Sequence, residues 1–168
     1  MDTARFSINY KLGEHLGWSE CQLTAGGSTI KVTASYLSDA LGQLATATVL
    51  LLQGAPSARV SFDEEPGEYR WGIDWHHDAQ KQSEVFFRVR VWFFKEMWGR
   101  HLPDEAGHQL LDEIVTQRAF YSGVRQMLNA VLDEYGMTGY RERWGHPFPS
   151  QASGLLSAIL DHGKARPD

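Results

Sequence analysis

Hydrophobic positions in this chain follow two periods, and the two alternate along its length. Phe6, Ile8, Tyr10 and Leu12 alternate with polar neighbours, the pattern of a strand with one buried face. "SECQLTAGGSTIKVTASY" continues the alternation on both sides of Gly26-Gly27, a pair able to take the positive φ of a tight hairpin turn. The period then lengthens. Leu37, Leu41, Leu44, Thr48, Leu51 and Leu52 fall on one stripe of a helix, with Ser35 or Ser38 as its cap and Gly54 and Pro56 marking its stop.

Period two returns in "ARVSFD", where Val60 and Phe62 share a face. In "GEYRWGIDWH" the inner face is Tyr69, Trp71, Ile73 and Trp75, and Glu68, Arg70 and Asp74 lie opposite. "EVFFRVRVWFFKEMW" sets Val85, Phe87, Val89, Val91 and Phe93 against Phe86, Arg88, Arg90, Trp92 and Phe94. A further strand is expected in "HQLLDEIVTQ". After it, Phe120, Val124, Met127, Leu128, Val131, Leu132 and Tyr135 predict a second helix, capped by Thr116 and stopped by Gly136. "GYRERW" reads as one short turn, "SQASGLLSAILDHG" as a final helix and "KARPD" as a frayed tail.

The order βββ-α-ββββ-α-α predicts an α+β fold. It would be an antiparallel sheet of about six to seven strands with two or three helices packed mainly on one face. A chain of 168 residues with 42% hydrophobic and 22% charged residues fits one globular domain, residues 1–163, followed by the tail 164–168. Net charge −5 and pI near 5.8 argue against a nucleic-acid partner. The apolar run near "VLLLQGA" is too short and interrupted to span a bilayer. One cysteine, Cys21, permits no intrachain disulfide, and "MDTARFSINY" lacks the features of a signal peptide, so a cytoplasmic setting is expected.

Candidate chemistry concentrates in "SFDEEPGEYRWGIDWHHD". Asp63, Glu64 and Glu65 precede Pro66-Gly67, a turn pair, and neighbours on a strand point to opposite faces. A solvated acidic turn, an acidic rim that steers a partner, or a pair of catalytic carboxylates are the three readings. Sequence pairs no base or nucleophile with the carboxylates, which sets catalysis last. His76, His77 and Asp78 lack any strong metal-ligand spacing, and a polar loop is the plainer reading; His101, His108 and His146 stand apart beside turn residues. No metal or cofactor is expected. Cys21 reads as a small buried hydrophobe.

Arg88 and Arg90 share their face with Phe86, Trp92 and Phe94. That mixture makes a binding surface if open. Alternatively, "YRERWGHPFP" folds over it with Trp144, Pro147, Phe148 and Pro149.

"TASYLSDALGQL", "FDEEPGEYRWGI" and "VLDEYGMTGYRERWGHPFP" together resemble a family of bacterial single-domain proteins with a strand-rich N-terminal half and C-terminal helices. The likeness spans nearly the whole chain, and the run Glu64 to Trp71 is its most distinctive motif. The segment "DAQKQS" and the neighbouring histidines fall outside it. Such proteins resemble the immunity proteins that neutralise polymorphic toxins, and the resemblance implies no reaction and no catalytic residue.

The leading expectation is therefore a cytoplasmic immunity-type protein that binds a cognate toxin. Its contact surface would be Asp63, Glu64, Glu65, Glu68 and Arg70, with Trp75, Arg88, Arg90 and Trp92 as anchors. The alternative is a ligand-binding protein or enzyme with a pocket near Trp71, Trp75, Tyr140 and His146. A homodimer through the aromatic strand face is the third reading.

Overall fold

The computed structural model describes residues 2–78, 84–97 and 101–164. Strands β1 (Phe6–Leu12), β2 (Trp18–Ala25) and β3 (Ser28–Ser35) form an antiparallel sheet. Helix α1 (Ala40–Leu52) follows. Strands β4 (Ser57–Asp63), β5 (Glu68–His76), β6 (Phe86–Phe94) and β7 (His108–Thr116) make a second antiparallel sheet in sequential order. Helices α2 (Gln117–Trp144) and α3 (Ser150–Lys164) complete the chain. The expected α+β class and element order hold, and the strands divide between two sheets.

The division has a local cause. The chain leaves β3 into α1, so no hairpin joins β3 to β4, and the start of α1 occupies the edge that β3 would need. Ser38 Oγ accepts the Asp63 N–H (3.0 Å) and donates to the Ser61 carbonyl (3.3 Å). The Ser61 N–H donates to Gln43 Oε1 (3.0 Å). Backbone groups that would have paired with a neighbouring strand are satisfied by side chains of the α1 segment instead. The cap itself is Asp39, whose side chain accepts the Gly42 N–H, and neither Ser35 nor Ser38 takes that role. Leu37, expected on the helical stripe, precedes the helix and is exposed.

Both sheets turn an apolar face to one core. Phe6, Ile8, Tyr10 and Leu12 of β1 lie with Phe120, Val124, Met127 and Val131 of α2. A Cβ at Gly123 would come within 2.6 Å of the Phe6 ring, so glycine permits this close approach of α2 to β1. From the second sheet come Val60, Phe62, Trp71, Ile73, Phe87, Val89 and Val91, with Phe62 against Trp71 (5.0 Å between rings) and Phe87 against Phe120 (5.3 Å). Cys21 is buried here as expected, and burial, with Glu20 adding to it, pushes its thiol above the ordinary value. Tyr69 is only half-buried, and Trp75, expected in the core, is 49% exposed at the end of β5.

Helix α2 begins at its Thr116 cap, as read from sequence, but helical structure resumes beyond Gly136 and continues to Trp144. Gly136 marks a kink with φ 64°, ψ 173°, a conformation almost confined to glycine. The turn expected at "GYRERW" is this second helical arm. Its Tyr140 and Trp144, with Phe148 beyond, enter the core on the β1 side, where Trp144 meets Tyr10 edge-on. They do not cover the aromatic face of β6. The expected tail lies, apart from Lys164, outside the described residues.

Nothing lies within 4 Å of a Cβ added at Gly136, so any cost of substitution there comes from the backbone alone. Gly136→Ala is expected to destabilise the fold by roughly 1–3 kcal/mol, read from the midpoint of chemical denaturation. Gly139→Ala, also sterically open but at an ordinary helical position, should leave stability level or raise it.

Candidate functional site

The outer face of the second sheet carries most of the polar residues singled out above. Its register sets them in rows across the strands. Asp63, Glu68 and Phe94 form one row, and Ser61, Arg70 and Trp92 the next. Then come Arg59, Gly72, Arg90 and Asp112, followed by Ser57, Asp74, Arg88 and Ile114. Gly72 leaves a gap in its row. A Cβ there would lie 3.0 Å from the Trp92 ring and 3.2 Å from the Arg59 guanidinium carbon, so the two side chains meet over the bare backbone.

Alternating charges run across these rows. Asp74 accepts from Arg59 (2.9 Å) on one oxygen and from Arg90 (2.7 Å) on the other. Arg59 also binds Asp104 (3.1 Å), whose second oxygen takes Arg70 (3.3 Å). Arg70 reaches Glu68 (3.2 Å), and the Ser61 hydroxyl sits between Glu68 (2.8 Å) and Asp63 (3.1 Å). Arg88 grips Asp112 with two parallel hydrogen bonds of 2.7 Å, the strong bidentate geometry of arginine and carboxylate. Arg70 stacks over Phe94 (4.2 Å) and Arg90 over Trp92 (5.0 Å).

A turn from the β6–β7 connection packs over the Arg70, Trp92 and Phe94 end of this face. It holds a 3-10 turn at Asp104–Ala106, and the Leu102 carbonyl accepts from Arg70 (2.8 Å). Gly107 backs onto Phe94 and Trp92 so closely that a Cβ would lie 2.7 Å from the Phe94 ring. The Met97 N–H donates to the Pro66 carbonyl (2.6 Å), tying the same connection to the β4–β5 turn.

The expected contact residues separate accordingly. Asp63 (1% exposed), Glu68 (2%), Arg70 (8%) and Trp92 (2%) are buried beneath or beside the cover. Glu64 is half-buried and accepts a hydrogen bond from Thr33 of β3 (2.8 Å). Glu65 is exposed at φ 41°, at the tip of the turn, and precedes a cis peptide bond to Pro66. Arg88 is exposed and Arg90 half-buried, both on the outer face. Trp75 has the parity of Ile73 and belongs to the opposite face, across from Pro56, whose carbonyl accepts the Trp75 N–H (3.0 Å). Sequence reading put Asp74, Arg88 and Arg90 on the right face but missed Arg59 as a partner of Asp74, Asp104 as the carboxylate shared by Arg59 and Arg70, and Asp112 as the partner of Arg88. The alternation of "ARVSFD" and "HQLLDEIVTQ" already placed Arg59 and Asp112 opposite the core.

Trp71 and Tyr140 are wholly buried, and His146 is bound through Nε2 to the Tyr36 carbonyl (2.6 Å). With Trp75 they line neither the groove between α1, β4 and α3 nor the one beside the second arm of α2. His76 ends β5, with His77 exposed in the following connection. Among the described residues, no group of three His, Cys, Asp or Glu side chains is placed to hold a metal ion. No helix among them is long and apolar enough to cross a membrane.

Burial alone would raise the Asp74 carboxyl, but the hydrogen bonds and fields of Arg90 and Arg59 outweigh it and hold the group below its usual range. Hydrogen bonding to Arg88 lowers Asp112 in the same sense, against a smaller effect of burial. Ion pairing of this kind fixes a defined pattern of charge on the outer face of the sheet.

No family model matches the chain, and no curated protein matches it. A solved chain from the "CdiA-CT/CdiI toxin and immunity complex from Enterobacter cloacae" is similar to it at 11% sequence identity and a TM-score of 0.46. The alignment covers 74% of this chain and 99% of that one.

A carboxyl lowered on folding adds stability above its ordinary value of 3.8 and loses it as pH falls through the folded value. Asp74→Asn is therefore expected to cost roughly 1 kcal/mol near neutrality after solvent screening. Its denaturation midpoint should converge on that of the parent as pH drops below about 3.8. A difference between the two that stays constant with pH would show that the Asp74 pairs contribute nothing through charge.

Proposed function

We propose that this chain is an immunity-type interaction protein that binds a cognate toxin in the cytoplasm and neutralises it. The observation that carries the reading is the preorganised charge pattern on the second sheet. Arg59, Arg88, Arg90, Asp74 and Asp112 are held by one another in fixed rows, so a partner meets side chains that are already ordered and has less entropy to remove. Acidic charge lies at the corner of this face. Glu65 is exposed and, among the described residues, has no ion-pair partner, with Glu64 beside it.

On this reading, Glu64, Glu65, Arg88 and Arg90 make the contact, with Trp75 as an anchor at the sheet's end. Asp63, Glu68, Arg70 and Trp92 form the rigid backing. A net charge of −5 suits a toxin whose active cleft is basic, because complementary fields raise the association rate. The single buried thiol is compatible with a reducing compartment.

The test is affinity capture of this chain from a lysate of its native host at moderate salt, with mass spectrometry of what is retained. One stoichiometric partner is expected. That partner should be toxic when expressed alone and harmless when expressed with this chain. Glu64→Lys with Glu65→Lys should weaken the pair and flatten its salt dependence, since rim charges act mainly on association. Recovery of the chain alone at every salt concentration, or a partner without toxicity, would sink the proposal.

A further inference from the structure

Strand β4 is an edge strand whose two halves are closed differently. Trp75 N–H donates to the Pro56 carbonyl and Glu64 N–H to the Gly67 carbonyl, which fixes the even-numbered residues of β4 as those bonded to β5. The odd-numbered residues turn their N–H and C=O groups outward. The Ser61 N–H is taken by Gln43, and the Ser61 carbonyl and Asp63 N–H by Ser38. At Ser57 and Arg59 no group among the described residues takes them.

Beside this open half runs a groove of about 970 Å³ between α1, the β4 edge and the start of α3. Its apolar lining includes Ala47, Leu50, Ala58, Phe148 and Leu155, and Leu50 and Leu155 are exposed. Its charged lining residues are Arg59, already held by Asp74 and Asp104, and Asp39. The charge left to attract a ligand is the Asp39 carboxylate, one oxygen of which already caps α1 by accepting the Gly42 N–H.

Outward backbone donors and acceptors at strand spacing are complementary to another extended backbone. The apolar lining selects apolar side chains, and the Asp39 carboxylate disfavours nucleic acid or an acidic segment. We infer that an extended segment of a partner protein docks here as a fifth strand of the second sheet. It would be apolar at alternate residues, with a basic residue where it meets Asp39. This edge uses the backbone of Arg59, whose side chain belongs to the outer charged face, and the inference does not rest on the immunity reading.

The probe is a randomised heptapeptide library displayed on phage and selected against the full chain. The tightest peptides are then titrated into isotope-labelled protein while amide hydrogen exchange is followed by NMR. Selected peptides should alternate apolar residues, and the Ser57 and Arg59 amides should exchange more slowly when bound. Ser57→Pro removes an outward N–H at the first residue of an edge strand, where proline is tolerated, and should weaken binding about tenfold. Leu50→Glu, at an exposed position, should weaken it too and serves if the proline variant fails to fold. The inference is overturned if selection yields no binder or if bound peptides leave both amides unchanged. Protection of those amides that rises with protein concentration alone would overturn it in favour of a second copy.

Discussion

The Arg70 guanidinium is enclosed by the Glu68 carboxylate, the Leu102 carbonyl, the Asp104 carboxylate and the face of the Phe94 ring. A buried charge is tolerable only when its hydrogen-bonding capacity is met, so these contacts must form together. Meeting them draws the 101–107 turn down onto the sheet, and that turn covers Trp92 and Phe94. Without the cover, two large aromatic rings would lie on an open strand face. Asp104 is held in place by Arg70, and its other oxygen then fixes Arg59, which in turn shares Asp74 with Arg90. The order of Arg59, Asp74 and Arg90 thus descends from one buried cation, while Arg88 and Asp112 hold each other. An apolar layer in its place would avoid the desolvation cost, but would not specify where each surface charge stands.

Local pattern made the elements legible. Seven strands follow from period-two alternation, and the α2 cap at Thr116 from its place before a 3.6-residue repeat. What local pattern does not encode is which strand edges meet. The separation into two sheets depends on Ser38 and Gln43 bonding the edge of β4, and serine and glutamine at those positions read as ordinary polar residues. Gly136 was legible as an interruption but not as a kink, because the decision to resume the helix rests on Tyr140 and Trp144 finding places in a core built by distant strands.

The candidate site was legible as a face and illegible as a depth. Alternation put Glu68, Arg70, Asp74, Arg88 and Arg90 on one side of the sheet, and the register confirms it. It is silent on cover, since a charge beneath a turn and a charge in water occupy the same parity. Arg70, with Glu68 paired to it, is buried because a turn more than thirty residues onward supplies Leu102 and Asp104. Phe86, Trp92 and Phe94 were the available signal. Three large aromatics on a supposedly solvated face require a covering element, and the β6–β7 connection, with Pro103 and Gly107, was the nearest segment able to fold back.

Cover and openness divide β4 in the same way. Its C-terminal half is closed on the edge by Ser38 and Gln43, and its Asp63 lies buried beside the Ser61 hydroxyl. Its N-terminal half keeps Ser57 and Arg59 at an open edge. Natural sheets usually blunt such edges with charge, proline or a covering element, because an unpaired strand recruits other strands. Here Pro56 and Arg59 stand at the open half, yet Arg59 is turned onto the outer face by Asp74 and Asp104, and its charge does not guard the edge. The network that orders the exposed rows is thus also what leaves this stretch of backbone accessible.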